Sequence, residues 1–345
     1  MTDDKKISAD EIALYDRQIR LWGIAAQTRM REANVLLITA GALSNEIAKN
    51  IVLAGIGSLT VLDSATVTPP DLGAQFFLEE SDVGKNRAEA AVPRIQKLNT
   101  RVIVTADTSD ITTKDAEYFS KFDIVVATEL AASELITINE ACRKYSKCFY
   151  AGGMSGLYGY IFVDLIEHSF SFERDQSNSA TKLGPETSTR SVVDVKLKKG
   201  DGKLLKEVVT KKEVYKPLAE SLKSDSLSKL RARSQLKVSP VLPAFRALWD
   251  FQSTTSRLPS PEDFSTFEEL VHNNTRDLGL PVGIITPQFV KSFLSGVGAE
   301  ISPVAAIIGG AMAQDILNVL GQRQQPIQNW VVYDCDTSTA PIYTL

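Results

Sequence analysis

Apolar residues follow two alternating rhythms along roughly the first 165 positions. Short continuous runs at Val35 to Thr39, Leu59 to Leu62, Val102 to Val104 and Ile124 to Ala127 read as buried strands. Between them, Leu43, Ile47, Ile51 and Val52 recur at helical spacing before Gly55, and Ala88 to Leu98 and Leu135 to Tyr145 read as further helices. Strands alternating with helices predict right-handed crossovers and a doubly wound, mostly parallel, Rossmann-like α/β sheet. Upstream, Ser8-Ala9-Asp10-Glu11 has the form of a capping box. It predicts a helix through Leu14, Ile19 and Leu21, interrupted at Gly23 and continued to about Arg31.

The rhythm changes after about residue 165. Residues 173 to 190 are polar and read as a loop. Val192 to Leu197 and Lys206 to Val209 flank Lys198-Lys199-Gly200-Asp201-Gly202, which predicts a charged, exposed hairpin with a Gly-rich turn. Its lysines suit a guarded edge strand, with a partner-docking or import role as the alternative. Residues 217 to 295 read as mainly helical. Pro303 to Leu320 is then an apolar helix stopped by Gly321, Trp330 to Tyr333 is a strand, and Pro341 to Leu345 is a candidate for another. These last elements are expected to rejoin the first sheet. Residues 1–165 and 300–345 then form one domain, with an inserted hairpin and helical segment over 166–299.

Composition narrows the function classes. Of 345 residues, 43% are hydrophobic and 23% charged, as in an ordinary globular protein. A net charge of −4 argues against nucleic acid as a partner. The polar start MTDDKKISADE is no secretory signal, and the run Pro303 to Ala313 is too short to span a membrane. Cys142, Cys148 and Cys335 fit a reducing compartment and form no CxxC pair, so no metal site is expected. With only His168 and His272 in the chain, histidine-based chemistry has little to work with.

The segment Thr39-Ala40-Gly41-Ala42-Leu43-Ser44 joins a strand to a helix, where glycines let a backbone approach phosphates. Of a G-x-G-x-x-G pattern only Gly41 survives. Thr39 and Ser44 stand at the outer positions, where side chains narrow the space for a phosphate. Asp63 ends the second strand, where a ribose-binding acid belongs. These residues alone leave an ordinary strand–helix turn equally open.

The run Tyr15-Asp16-Arg17-Gln18-Ile19-Arg20-Leu21-Trp22-Gly23 resembles the N-terminal signature of the ubiquitin-like-modifier activating enzymes, whose adenylation domains are of the MoeB/ThiF kind. Glu46 to Gly57, Gln75-Phe76-Phe77, Asp82-Val83-Gly84-Lys85 and Gly309-Gly310-Ala311-Met312-Ala313-Gln314 agree with it. The likeness spans most of 8–165 and 300–345 and is weak between. It implies that most of the ATP chemistry is lost here. Ala74 stands where active members carry a phosphate-binding arginine, Arg87 replaces a lysine, and Glu129-Leu130 replaces the Asp-Asn pair whose Asp holds Mg²⁺. No catalytic-cysteine domain is evident, and the three cysteines read as small packing residues.

What the resemblance leaves intact is Arg17. In the family the N-terminal helix of one subunit reaches into the ATP site of the other, so Arg17 is expected to contact ATP phosphates in trans. Arg20 is a second candidate, and the plain alternative for Arg17 is a surface ion pair with Asp16 or Glu11. Leu21, Trp22 and Ile19 are expected to anchor the helix by packing, and Gly309-Gly310 to allow close core packing. ATP and Mg²⁺ are then bound by a larger catalytic partner subunit, and the modifier is met through the complex. Within the family the length and the Pro303 to Gly310 run look closer to the small non-catalytic subunit of SUMO-activating enzymes than to its longer Nedd-type counterpart. That pathway implies a nuclear location, with the cytoplasm as well. A self-sufficient MoeB/ThiF-like homodimer, an NAD-dependent oxidoreductase and a pure scaffold are the competing readings.

Overall fold

Parallel strands make the core of the main sheet, and their order shows why a site lies at one edge. The computed structural model describes residues 7–176, 181–199 and 205–345. β1 (Asn34–Ile38), β2 (Ser58–Leu62), β3 (Ile103–Asp107), β4 (Ile124–Thr128) and β5 (Cys148–Ser155) lie side by side in the order β3-β2-β1-β4-β5, all parallel. The chain builds outward from β1 in one direction and then resumes on its other side at β4. This reversal opens a crevice beyond the carboxyl ends of β1 and β4, the usual place for a ligand in such sheets. β6 (Tyr158–Asp164) turns back antiparallel on β5. It is buried along its whole length, so it shows no polar alternation.

The chain then leaves the main sheet. β7 (Glu167–Asp175), β8 (Gly184–Pro185), β9 (Arg190–Lys199) and β10 (Leu205–Val214) form a second, antiparallel sheet in the order β7-β10-β9-β8. The expected loop over 173–190 is therefore partly strand: β7 continues to Asp175 because it pairs with β10 along its length, a long-range contact invisible locally. The expected hairpin is β9 with β10, and its turn lies outside the described residues. β10 is an interior strand, and two of its three lysines are ion-paired: Lys211 with Glu186, just past β8, at 2.6 Å and Lys212 with Glu167 on β7. On β9, Lys198 pairs with Glu173 at 2.9 Å. β11 (Trp330–Asp334) and β12 (Ile342–Tyr343) return to the main sheet beside β6 and complete its eight strands.

Helices cover both faces of that sheet. On one face lie α4 (Ala42–Leu53), α5 (Arg87–Leu98) and the last helix, Ser302–Gly321. On the other, α6 (Ala132–Lys144) is joined by Val241–Thr255, Phe264–Asp277 and Pro287–Ser295. The helical part of the insertion thus shares one core with Tyr160, Phe162 and Trp330 of the main sheet. The helix Ser302–Gly321 is long and apolar enough to cross a bilayer, yet 61% of its apolar window is buried inside the fold, packed on α4. Fully burying each of Ile308, Met312 and Ile316 is worth roughly 1.5–3 kcal/mol. The stop is not Gly321 but Gln322, which takes a left-handed φ of 53°. Gly309 does serve close packing, since a Cβ there would lie 2.7 Å from Glu46 Cβ, but Gly310 faces open space.

At the N-terminus the capping box forms, with Ser8 Oγ accepting from the Glu11 amide at 3.2 Å and Glu11 accepting from the Ser8 amide at 2.9 Å. The single helix expected up to Gly23 is instead α1 (Ala9–Leu14) and α2 (Asp16–Trp22), followed by α3 (Ile24–Glu32). Tyr15 causes the break. Its ring turns inward over Gly55, and its hydroxyl accepts from Asn99 Nδ2 at 2.8 Å.

Candidate functional site

α2 presents Arg17. No residue of α2 is buried, and the helix is fastened by Tyr15 at its start and by Trp22, half-buried against Met30 and Leu317. Leu21 does not help to anchor it, being 68% exposed. Both carboxylates that could hold Arg17 are engaged elsewhere. Asp16 pairs with Arg20 at 3.0 Å, and Glu11 pairs with Arg31 at 3.3 Å and Arg101 at 4.0 Å. Arg17 is exposed and makes no ion pair or hydrogen bond among the described residues.

The strand–helix turn keeps a glycine's geometry without the glycine. Thr39 sits at φ 72°, a strained conformation for a β-branched residue. Ser44 does not narrow the turn as its position suggests. Its hydroxyl points inward, donating to the Thr39 carbonyl and lying 2.7 Å from the Thr128 hydroxyl. What fills the turn is Glu300, a residue with no local signal in the sequence. Its Oε1 accepts from the Ala42 amide, the first of α4, at 2.9 Å, and its Oε2 accepts from Gln75 Nε2 at 3.3 Å. A Cβ on Gly41 would come within 2.4 Å of this carboxylate. Glu300 is held there by the loop 296–301. Ala299 accepts from the Gly156 amide at 3.2 Å, and Gly296 packs so closely on Gly156 that a Cβ on either would lie 2.8 Å from the other's Cα.

Asp63 stands where expected, but its oxygens are spoken for. Oδ2 accepts from the Ala40 amide at 2.7 Å and from Arg87 Nε at 2.9 Å, and Oδ1 from the Ala65 amide at 2.8 Å. Arg87 also reaches Asp71 at 3.3 Å, and Asp71 accepts from Gln75 at 2.7 Å. One polar chain thus runs Asp63–Arg87–Asp71–Gln75–Glu300. Glu129, at φ 56°, hooks back so that its Oε1 accepts from the Met154 amide at 2.9 Å. Its side chain is open to the cleft, while protein surrounds it elsewhere. This desolvation, with the nearby charge of Glu300, pushes its carboxyl up to about 8.

Of these groups Asp71, Arg87, Glu129 and Glu300 line a cleft of about 530 Å³, its other wall being Tyr160, Phe245, Leu248 and Trp249. The residues present do not fit a bound nucleoside triphosphate and its Mg²⁺. A carboxylate already caps the helix N-terminus, Asp63 has protein donors on both oxygens, and Ala74 and Leu130 bring no polar group. Among the described residues no cluster of His, Cys, Asp and Glu is arranged to hold a metal ion. Cys142 and Cys148 are poor nucleophiles. Burial, then Asp164, raises Cys142, and the same causes push Cys148 up to about 12. His168 is a buried packing residue, pushed down to about 4 by desolvation.

The ThiF family model matches residues 15–342. DNA damage tolerance protein RHC31 of Saccharomyces cerevisiae is 42% identical over 345 residues, covering 98% of each chain. Human SUMO-activating enzyme subunit 1 is 36% identical over 332 residues, covering 95% of this chain and 93% of its own. Among solved structures, E. coli MccB with succinimide superposes with a TM-score of 0.53 over 96% of this chain and 71% of its own; at 13% identity it speaks for the fold alone. This chain belongs to the ThiF family, on the branch of the SUMO-activating enzyme subunit 1 proteins.

Proposed function

We propose that this chain is the smaller, non-catalytic subunit of a heterodimeric SUMO-activating enzyme. It docks on a larger catalytic chain and lends Arg17 to the ATP phosphates bound there. The observation that carries the reading is an exposed Arg17, unpaired among the described residues, on an anchored helix beside two carboxylates already taken by other arginines. An unpaired guanidinium retains all its donors for an incoming triphosphate.

The partner holds ATP and Mg²⁺ and adenylates the modifier's C-terminal glycine, then takes the modifier onto its own cysteine. Negative charge grows on the leaving pyrophosphate during adenylation. A guanidinium fixed beside it stabilises that charge without reorganising at the moment of reaction. The chain's own cleft, with Glu300 on the α4 N-terminus, supports a subunit that leaves nucleotide binding to its partner and disfavours a self-sufficient homodimer. The complex works in the nucleus and also in the cytoplasm.

The test is ATP–pyrophosphate exchange by the reconstituted pair. Arg17→Ala is expected to slow exchange on the order of 10²-fold or more, within the range of oxyanion-stabilising donors. Arg20→Ala is expected to change it far less. An unchanged rate in Arg17→Ala overturns the role in trans, and strong exchange by this chain alone overturns the non-catalytic reading.

A further inference from the structure

We infer that Glu300 is a built-in anion that bars polyphosphate from this chain's own cleft. The inference stands on the geometry of the turn and is independent of what Arg17 does in another subunit. A twelve-residue helix such as α4 presents unpaired amides and a partial positive charge at its N-terminus. Its cap residue, Gly41, brings no side chain to satisfy them. That arrangement is a standard receptor for phosphate oxygens. Here the receptor is filled by a carboxylate arriving from 258 positions away.

Three features make the contact a constructed one. Glu300 Oε1 meets the Ala42 amide at 2.9 Å while Oε2 takes Gln75 Nε2 at 3.3 Å, so both oxygens are used. Gly41 leaves just the room the carboxylate needs, since a Cβ would come within 2.4 Å of it. The 296–301 loop is seated on the β5–β6 turn through Gly156 and Gly296, with Gly298 at a left-handed φ of 76°. A phosphate placed at the α4 N-terminus would overlap the Glu300 carboxylate and meet its charge. The turn holds Thr39 at a strained φ of 72°, and its occupant is a carboxylate of the chain itself.

The consequence is specific: removing Glu300 exposes a latent anion site. Inorganic pyrophosphate is the probe, measured by calorimetry on the full chain at low salt. The native chain is expected to show no saturation in the millimolar range. Glu300→Ala is expected to bind at least about tenfold more tightly, and the gain to shrink as salt rises, because the contact is ionic. Adding Gly41→Val to Glu300→Ala is expected to abolish the gain by refilling the turn. Should Glu300→Ala fail to fold, Glu300→Gln keeps the acceptor on Ala42 but removes the charge, and a smaller gain is expected. A folded Glu300→Ala or Glu300→Gln chain that binds pyrophosphate no better than the native one overturns the inference. So does a gain that survives Gly41→Val, which would place the anion elsewhere.

Discussion

Arg20 closes on Asp16 one helical turn away, 3.0 Å between guanidinium and carboxylate, and this pair takes the carboxylate next to Arg17, which has no partner among the described residues. Exposed i,i+4 pairs contribute only about 0.3–0.5 kcal/mol, and an unpaired surface arginine contributes less. Arg17→Ala is therefore expected to shift the unfolding free energy of the isolated chain by less than about 0.5 kcal/mol, and Arg20→Ala by no more than that. Urea unfolding of the two variants checks it. The result matters because it separates a loss of exchange activity from a loss of fold. A large destabilisation in Arg17→Ala would mean that the side chain is structural.

Asp164 ends β6 at the point where the chain leaves the main sheet, and it is fully buried. Arg143 donates to its two oxygens at 2.7 and 2.8 Å, Asn139 donates at 2.8 Å, and the Ile166 amide at 2.9 Å. The carboxylate thus ties α6 to the start of the second sheet. Removing one member of a buried, hydrogen-bonded ion pair strands the other. Asp164→Ala is expected to cost about 3–5 kcal/mol. Asp164→Asn, which keeps the shape and part of the hydrogen bonding, is expected to cost less. Urea midpoints of the two variants decide it, and equal midpoints would contradict the role given to the charge.

The strand–helix alternation was legible because each element is fixed by its own apolar spacing. β1, β2 and β4 lie within a residue or so of where the pattern puts them. β3 is displaced, since its pairing with β2 runs from Ile103 to Asp107 and extends beyond the apolar run. Elements fixed by distant contacts were not legible. Tyr15 breaks the N-terminal helix because of Gly55 and Asn99, and β7 extends because of β10. The candidate site divides in the same way. The positions of Arg17, Gly41 and Asp63 follow from local motifs. Their partners do not: Arg20 in place of Arg17 on Asp16, Arg87 across Asp63, and Glu300 on the α4 N-terminus.

Asp315 gives a pH signature. It lies buried on the last helix, accepting from Tyr150 Oη at 2.9 Å and the Ile327 amide at 2.8 Å. These donors favour its ionised form, but desolvation outweighs them and pushes the carboxyl up from 3.8 to about 6. Between about pH 4 and 6 the folded chain therefore holds this proton after the unfolded chain has released it, so this group's contribution to stability falls as pH rises through that window. Above it the full penalty is on the order of 3 kcal/mol. Asp315→Asn removes the titration. Thermal unfolding across pH 4 to 7 is expected to show the variant gaining on the native chain as pH rises. A difference that stays constant with pH would contradict the elevated carboxyl.

Two adjacent glycines on the last helix should respond in opposite directions. At Gly309 an added Cβ would lie 2.7 Å from Glu46 Cβ and 3.2 Å from the Leu43 carbonyl oxygen. Neither atom belongs to a flexible tip, so the helix would have to move off α4. Overpacking of this kind costs typically 1–3 kcal/mol, and Gly309→Ala is expected to fall in that range. At Gly310 nothing lies within 4 Å of the same atom. There the substitution only reduces the freedom of the unfolded chain and improves helix propensity, so Gly310→Ala is expected to stabilise the isolated chain by about 0.5–1 kcal/mol. Urea unfolding at equal m values reads both. The two changes are chemically identical and one residue apart, so composition and propensity predict the same sign for each. Only the close approach of α4 to one side of the helix separates them, and shifts of the same sign would mean that this approach is not as tight as the contact distances require.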